Sequence, residues 1–387
     1  MTTYESLGLR PLINADGMKT RWGGSLMPPE VVQAMSRAAG NFVDLPELHR
    51  AAGRRLAALI GSPAVEDVAV VSGAAAGLAV AAAACVAGSD GKRIRSLPHL
   101  DWAGAKDEIV IPRNHMTGYA QGFRNAGPRL VEVGGADGAT ADEIKAAINE
   151  RTAAVTICGG EQPGDGRFAL KASLAEICQL AHARGVPVIV DAAAELPPPE
   201  NLRKFSERGA DLVVFSGGKG LRGPQASGLV LGKQDLIEAC RLNQNPNSSM
   251  GRPMKVGKEE ICGLVKAVEL YVARDHAADL RYWEACAATI LDAVRGMDGV
   301  TADRFHARTI AQARVTVDAS RVGDSAAGLA RRLRDGDPSI VCTLSGEALV
   351  FNPHNLEPGE AEQIGLRLKQ VLREAALQPV QETVAAV

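Results

Sequence analysis

Aromatic side chains are scarce in this chain: seven Phe, four Tyr and three Trp make up 4% of 387 residues. So few rings exclude a base-stacking platform for nucleic acid and argue against an aromatic-rich β-sandwich. A surplus of either charge is also missing, with 43 Lys and Arg against 45 Asp and Glu and a formal net charge of −2. Without a basic excess there is no electrostatic footprint for sequence-independent nucleic-acid binding. No two of the seven Cys stand in a C-x-x-C or similar ligand spacing, so no metal site is indicated, and the scattered thiols read as reduced side chains of a cytoplasmic protein. The N-terminus, Met1-Thr2-Thr3-Tyr4-Glu5, has no basic stretch leading into an apolar run, so no secretory signal is expected. One uncharged stretch, Val68 to Gly88, has the length of a membrane span. It is mostly alanine and carries Ser72-Gly73 near its start, which divides it into strand, turn and helix, so no membrane partner is expected.

What is present is an ordinary globular composition, 46% hydrophobic and 23% charged with 41 Gly, long enough for roughly two to three domains. From residue 64 to about 235, short β-rich runs alternate with amphipathic ones. Val68–Val71, Glu108–Pro112, Arg129–Val133, Ala153–Cys158, Val186–Val190, Leu212–Phe215 and Gly228–Leu231 read as strands. Ala74–Ala87, Thr140–Glu150 and a helix opened by the capping-box pattern Ser173-Leu174-Ala175-Glu176 lie between them. This alternation predicts an α/β fold with a mainly parallel sheet covered on both faces. After about residue 250 the rhythm changes to two long helices, Val256–Arg274 and Ala278–Arg295. Short strands follow near Ala313–Val317, Ile340–Thr343 and Ala348–Phe351, then a last helix, Glu360–Ala375. A small α+β domain is expected there, packed on the first through the helix near 256–274. The first 60 residues read as loop-rich.

Two segments carry the chemistry. In Val188-Ile189-Val190-Asp191 an apolar strand ends in a carboxylate, at the C-terminal sheet edge where open α/β folds bind ligands. In Phe215-Ser216-Gly217-Gly218-Lys219-Gly220 the next strand runs into a lysine flanked by glycines, which let backbone approach a ligand closely. A lysine and an aspartate at neighbouring strand ends suit pyridoxal phosphate: the amine forms a Schiff base and the carboxylate keeps the ring nitrogen protonated. A phosphate cradle is then needed at a helix start, and Ser72-Gly73-Ala74-Ala75-Ala76-Gly77 supplies small side chains, free amides and the positive end of a helix dipole. Ser216 can add a hydroxyl. A Walker loop is excluded twice, because its first glycine falls at Val213 and its Ser or Thr at Gly220. No Rossmann G-x-G-x-x-G follows the first strong strand.

Taken with Leu12-Ile13-Asn14-Ala15-Asp16-Gly17 and Arg252-Pro253-Met254-Lys255-Val256-Gly257-Lys258, these motifs make the chain resemble the fold type I pyridoxal-phosphate enzymes. Within them it resembles the selenocysteine synthase-like group that includes the D-glucosaminate-6-phosphate ammonia-lyases, over nearly its whole length. The resemblance implies an N-terminal arm and helix (1–60), a large cofactor domain with a seven-stranded sheet (61–250), and a linking helix with a small C-terminal domain (251–387). It also implies a homodimer or higher homo-oligomer. Carried over, Lys219 is the Schiff-base lysine and Asp191 the ring-nitrogen partner, while Ser72, Gly73, Ala74 and Ser216 hold the phosphate. His115 stacks on the ring and joins Lys219 as a catalytic candidate; Glu161-Gln162 meets the phenolic oxygen. Arg21, Arg222, Arg252 and Lys255 are candidates for a substrate carboxylate or phosphate. The arginine many relatives carry near the strand pair at 340–351 is missing, leaving His354 as a replacement.

The expected function is chemistry at the α-carbon of an amino acid or amino sugar acid, first of all loss of a β-hydroxyl to give a 2-keto acid and ammonia. Racemisation or epimerisation, aldol cleavage and amino transfer share the same early steps. Selenium transfer to seryl-tRNA fits less well, because it calls for a basic surface and this chain carries −2. A regulatory protein that binds the cofactor without catalysis would have no need of both Asp191 and Lys219.

Overall fold

The computed structural model describes residues 4–159 and 168–377. Ser25–Arg274 forms one compact unit, and the residues before Ser25 join those from Asp275 onward in a second. In chain order the strands are β1 (Leu12–Ala15), β2 (Asp67–Val71), β3 (Glu108–Pro112), β4 (Arg129–Val133), β5 (Thr152–Cys158), β6 (Val188–Asp191), β7 (Leu212–Ser216), β8 (Gly228–Gly232), β9 (Val300–Ala307), β10 (Ile310–Val317), β11 (Ser339–Ser345) and β12 (Ala348–Phe351).

The larger unit is built on the seven-stranded sheet β2-β8-β7-β6-β5-β3-β4. Strand β8 runs antiparallel to both neighbours and every other pairing is parallel. Strands covered on both faces lose their alternation, which is why Val68–Val71, Val188–Val190 and Leu212–Phe215 are apolar throughout and buried. One face packs under helices Leu45–Ile60, Leu174–His182 and Lys258–Ala273. The other packs under Ala74–Ala87 and Gln234–Leu242. Helix Ala74–Ala87 is apolar all round because most of its residues are buried, close enough to the sheet that a Cβ on Gly77 would stand 2.7 Å from Val214 Cγ1. Among the described residues no helix is long and apolar enough to cross a membrane.

The second unit carries the sheet β1-β11-β12-β10-β9, with β1 parallel to β11 and the other pairs antiparallel. Helices His276–Val294, Ala326–Asp335 and Glu360–Ala376 share its core.

The chain boundaries of these units fall at 24/25 and 274/275 rather than at the expected 60/61 and 250/251. The reason is pairing. Leu12–Ala15 hydrogen-bonds along Ser339–Cys342 as an edge strand of the small sheet. Helices Pro29–Ala39 and Leu45–Ile60 instead pack on helix Lys258–Ala273, which therefore belongs to the larger unit. The N-terminal region is also less loop-rich than expected, since those two helices occupy most of residues 29–60.

A buried histidine gives the larger unit an acid-sensitive point. His49 is 2% exposed and neither ring nitrogen has a hydrogen-bond partner. Burial first, and the Arg241 guanidinium second, push its pKa down to about 4. The unfolded chain takes up that proton near pH 6.5, so the stability of the neutral ring is complete above that pH and is lost as pH falls toward 4. Between pH 7 and pH 4 this residue should cost the native protein up to about 3 kcal/mol. His49→Leu should flatten the pH dependence of unfolding in urea over that window; an unchanged slope would reject the assignment.

Candidate active site

The parallel register assembles the site. Gly228 pairs with Val71 on one side and Ser216 on the other, Val214 pairs with Asp191, and Asp191 with Cys158. Strand β3 then runs out through the turn Arg113–His115. The C-terminal ends of β2, β7, β6, β5 and β3 thus share one sheet edge, where open α/β sheets bind ligands.

Asp191 closes β6 with one carboxylate oxygen on each side engaged. Oδ1 accepts from the Ala193 N–H at 3.0 Å, and Oδ2 lies 4.0 Å from the Cys158 thiol, which donates to it. Burial raises its pKa, against the pull of the Ala193 amide and the Lys219 ammonium. A buried carboxylate in this state favours a cationic partner.

His115 Nδ1 accepts from the Cys158 N–H at 2.9 Å, so Nε2 carries the proton and donates to the Phe168 carbonyl at 3.1 Å. Two backbone groups fix a neutral tautomer, and burial lowers the pKa to about 4 even though the Phe168 carbonyl opposes it. With both nitrogens spent on backbone, the ring has no proton to exchange with a ligand and offers its face. His115, Asp191, Cys158, Thr156, Thr117 and Phe123 line one small cavity.

Helix Ala74–Ala87 starts at Gly73, whose φ of 134° favours glycine, and no side chain caps it. Its first-turn amides and dipole form an anion seat beside half-buried Ser72, and a Cβ on Gly73 would meet open space. Gly228 backs this turn. A Cβ there would stand 2.8 Å from Gly73 C and 3.0 Å from Ala74 N, backbone atoms that cannot swing aside. Gly228→Ala should therefore destabilise the fold by about 1–3 kcal/mol and weaken phosphate binding in a cofactor titration. Normal cofactor affinity in the variant would count against the cradle.

Lys219 stands in a loop pressed into its surroundings. A Cβ on Gly217 would lie 2.1 Å from Ser227 Oγ, and one on Gly220 2.4 Å from the Leu196 carbonyl oxygen, so both positions demand glycine. The Gly217 N–H donates to Ser227 O at 2.9 Å, Gly223 N–H to Gly217 O at 2.8 Å, and Ser25 Oγ to Gly218 O at 3.1 Å. The half-buried lysine is close enough to Asp191 for its charge to act on that carboxyl. Ser216, half-buried, closes β7 beside Gly228.

The structure thus brings Ser72, Gly73, Ala74, His115, Asp191, Ser216 and Lys219 to one edge. The remaining candidates fare differently. Arg222 takes a left-handed backbone with φ of 56° and donates from Nε to Leu26 O at 3.2 Å, tying the lysine loop to the chain's early segment. Arg252 is exposed and bonds Asn245 Oδ1 at 2.9 Å, and Lys255 is exposed nearby. Arg21 and His354 belong to the other unit. Arg21 lies exposed over the Trp22 ring at 4.7 Å. His354 is 6% exposed, stacked on Trp283 at 5.1 Å with Nδ1 on Asn355 Oδ1 at 3.1 Å, so its ring is part of that unit's packing. Glu161 and Gln162 lie outside the described residues. Among the described residues, no group of three or more His, Cys, Asp or Glu side chains could hold a metal. Sequence reasoning missed Cys158, Gly228 and the Phe168 carbonyl, because parallel register and a distant loop carbonyl leave no local signal.

Residues 12–284 match the family of L-seryl-tRNA selenium transferases. A 5'-C-glycyluridine monooxygenase-decarboxylase from Streptomyces is 38% identical over 380 residues, covering 95% of this chain and 92% of that protein. D-glucosaminate-6-phosphate ammonia lyase of Salmonella typhimurium is 34% identical over 386 residues, covering 96% and 98%. A solved structure of D-glucosaminate-6-phosphate ammonia-lyase superposes with a TM-score of 0.83 at 33% identity, covering 97% of this chain and 99% of its own. An uncapped helix start with open space beside its glycine, a buried carboxylate in need of a cation and a half-buried lysine at one sheet edge fit a phosphorylated pyridine aldehyde. The chain belongs to the L-seryl-tRNA selenium transferase family and is a fold type I, pyridoxal-phosphate-dependent enzyme.

Proposed function

We propose that the enzyme is an ammonia-lyase that removes a β-hydroxyl from a 2-amino acid or amino sugar acid, giving a 2-keto acid and ammonia. The observation that carries this is the near full-length similarity to D-glucosaminate-6-phosphate ammonia lyase, in a chain where Asp191, Lys219 and an uncapped helix start share one edge. When bound, pyridoxal phosphate supplies an electron sink for charge developing at the substrate α-carbon. Lys219 would hold the cofactor covalently, and its free amine would take the α-proton. Asp191 keeps the proton on the ring nitrogen. The amides of Ser72, Gly73 and Ala74, with the Ser216 hydroxyl, would hold the phosphate, and His115 would contribute its ring face to the cofactor. Gln162 is assigned to the phenolic oxygen, and Arg222 or Arg252 to the substrate's anionic groups. The enzyme is assigned to the cytoplasm as a homo-oligomer: seven free cysteines support the first, and exposed Leu26, Phe42, Val43 and Tyr119 the second.

A second reading, oxidative decarboxylation at a glycyl α-carbon, is favoured by the 38% identity to the Streptomyces enzyme. The test is a screen of 3-hydroxy-2-amino acids and phosphorylated amino sugar acids with the cofactor-loaded protein. Keto acid and ammonia formed together without oxygen uptake support elimination. Oxygen uptake with release of carbon dioxide supports the second reading. Inversion without keto acid indicates a racemase or epimerase, aldehyde release an aldolase, and a requirement for an amino acceptor an aminotransferase.

A further inference from the structure

We propose that Cys158 is a positioning residue for Asp191: its thiol aims the carboxylate while its backbone N–H holds His115 in place. The inference rests on the reading above that Asp191 faces the cofactor's ring nitrogen.

Cys158 is the last residue of β5 and stands in register beside Asp191 on β6. Its Sγ lies 4.0 Å from Asp191 Oδ2, and its N–H donates to His115 Nδ1 at 2.9 Å. One strand-end residue therefore touches both groups assigned to the ring. Oδ1 is already fixed by the Ala193 N–H at 3.0 Å, so rotation of the carboxylate is controlled from the Oδ2 side. A thiol is a weak donor. It orients the oxygen and leaves the carboxylate basic enough to hold a ring proton. The His115 contact is made by backbone and survives any substitution at 158, so side-chain variants isolate the thiol's action on Asp191.

The experiment compares wild type with Cys158→Ala, Cys158→Val and Cys158→Ser. Its readouts are the pH titration of the bound cofactor's absorbance, cofactor affinity, and the separation of kcat from KM. Valine fills the thiol's space, with a methyl group more, and loses the donor, whereas serine keeps a donor. Alanine and valine should both displace the titration midpoint by about half a unit to one unit and weaken cofactor binding about tenfold. Serine should bring both back toward wild type. The loss should fall on kcat, since substrate groups are not touched. If all four proteins titrate alike, or if valine matches wild type while alanine does not, the residue merely fills space and the proposal is overturned. A wild-type protein that binds no cofactor would instead overturn the reading of the site itself.

Discussion

Lys219→Ala is expected to fold normally, bind pyridoxal phosphate without the absorbance band at about 410–430 nm, and lose turnover by about three to four orders of magnitude. The size follows from the two roles proposed for one amine, the covalent attachment and the removal of the α-proton. The surrounding backbone bonds, from Gly217 to Ser227 and from Gly223 to Gly217, do not involve the side chain and should hold the loop in the variant. Absorbance of the loaded protein and circular dichroism measure the two halves of the expectation. Addition of a small primary amine should restore a fraction of the proton transfer. Retention of the band in a folded variant would move the attachment to another lysine.

Asp191→Asn should have the next largest effect. Removing one member of a buried charge pair costs about 2–5 kcal/mol, so cofactor affinity should fall by roughly 30-fold or more. Turnover should fall further, because the group proposed to keep the ring nitrogen protonated is gone. The cofactor-free protein should respond in the opposite direction. Burial raises the Asp191 pKa above 3.8, so the folded state disfavours its charged form, and that cost is present at neutral pH and vanishes as pH falls below the raised value. Cofactor-free Asp191→Asn should therefore melt above wild type at pH 7, with the difference shrinking as pH approaches 3.8. A variant that gains no stability at pH 7 and binds the cofactor normally would remove Asp191 from the site. Such opposition between stability and function is common where a buried group is kept for chemistry.

Much of this architecture is legible along the chain because its signals are local. Glu108–Pro112, Arg129–Val133 and Ala348–Phe351 have the expected limits, as does helix Ala74–Ala87. Apolar runs bounded by turn residues mark fully buried strands, and a parallel sheet is made of such runs. Strand β9 escapes because Val300–Ala307 carries Asp303, Arg304 and His306 and buries none of its residues fully. Strand β1 escapes because four residues near the N-terminus gain their meaning from Ser339–Cys342, which lie far along the chain. The domain limits shift for the same reason, since helix Lys258–Ala273 packs on helices that precede the large sheet.

Asp191, Lys219 and the Ser72–Ala74 turn stand out as candidates in the amino acids because each is a break in a local pattern: a charge ending an apolar run, a lysine between glycines, a small-residue turn before a helix. The chemistry of a side chain and its place at a strand end are properties of a few adjacent residues. Neighbours across strands are not. That Cys158 stands beside Asp191, that Gly228 backs the Ser72–Ala74 turn, and that His115 gives both nitrogens to backbone were decided by register and burial in three dimensions. Tertiary structure also buried His354, the candidate replacement for the missing arginine, and packed it on Trp283. Long-range contacts depend on which strands pair and which faces are covered, and only the folded chain settles those.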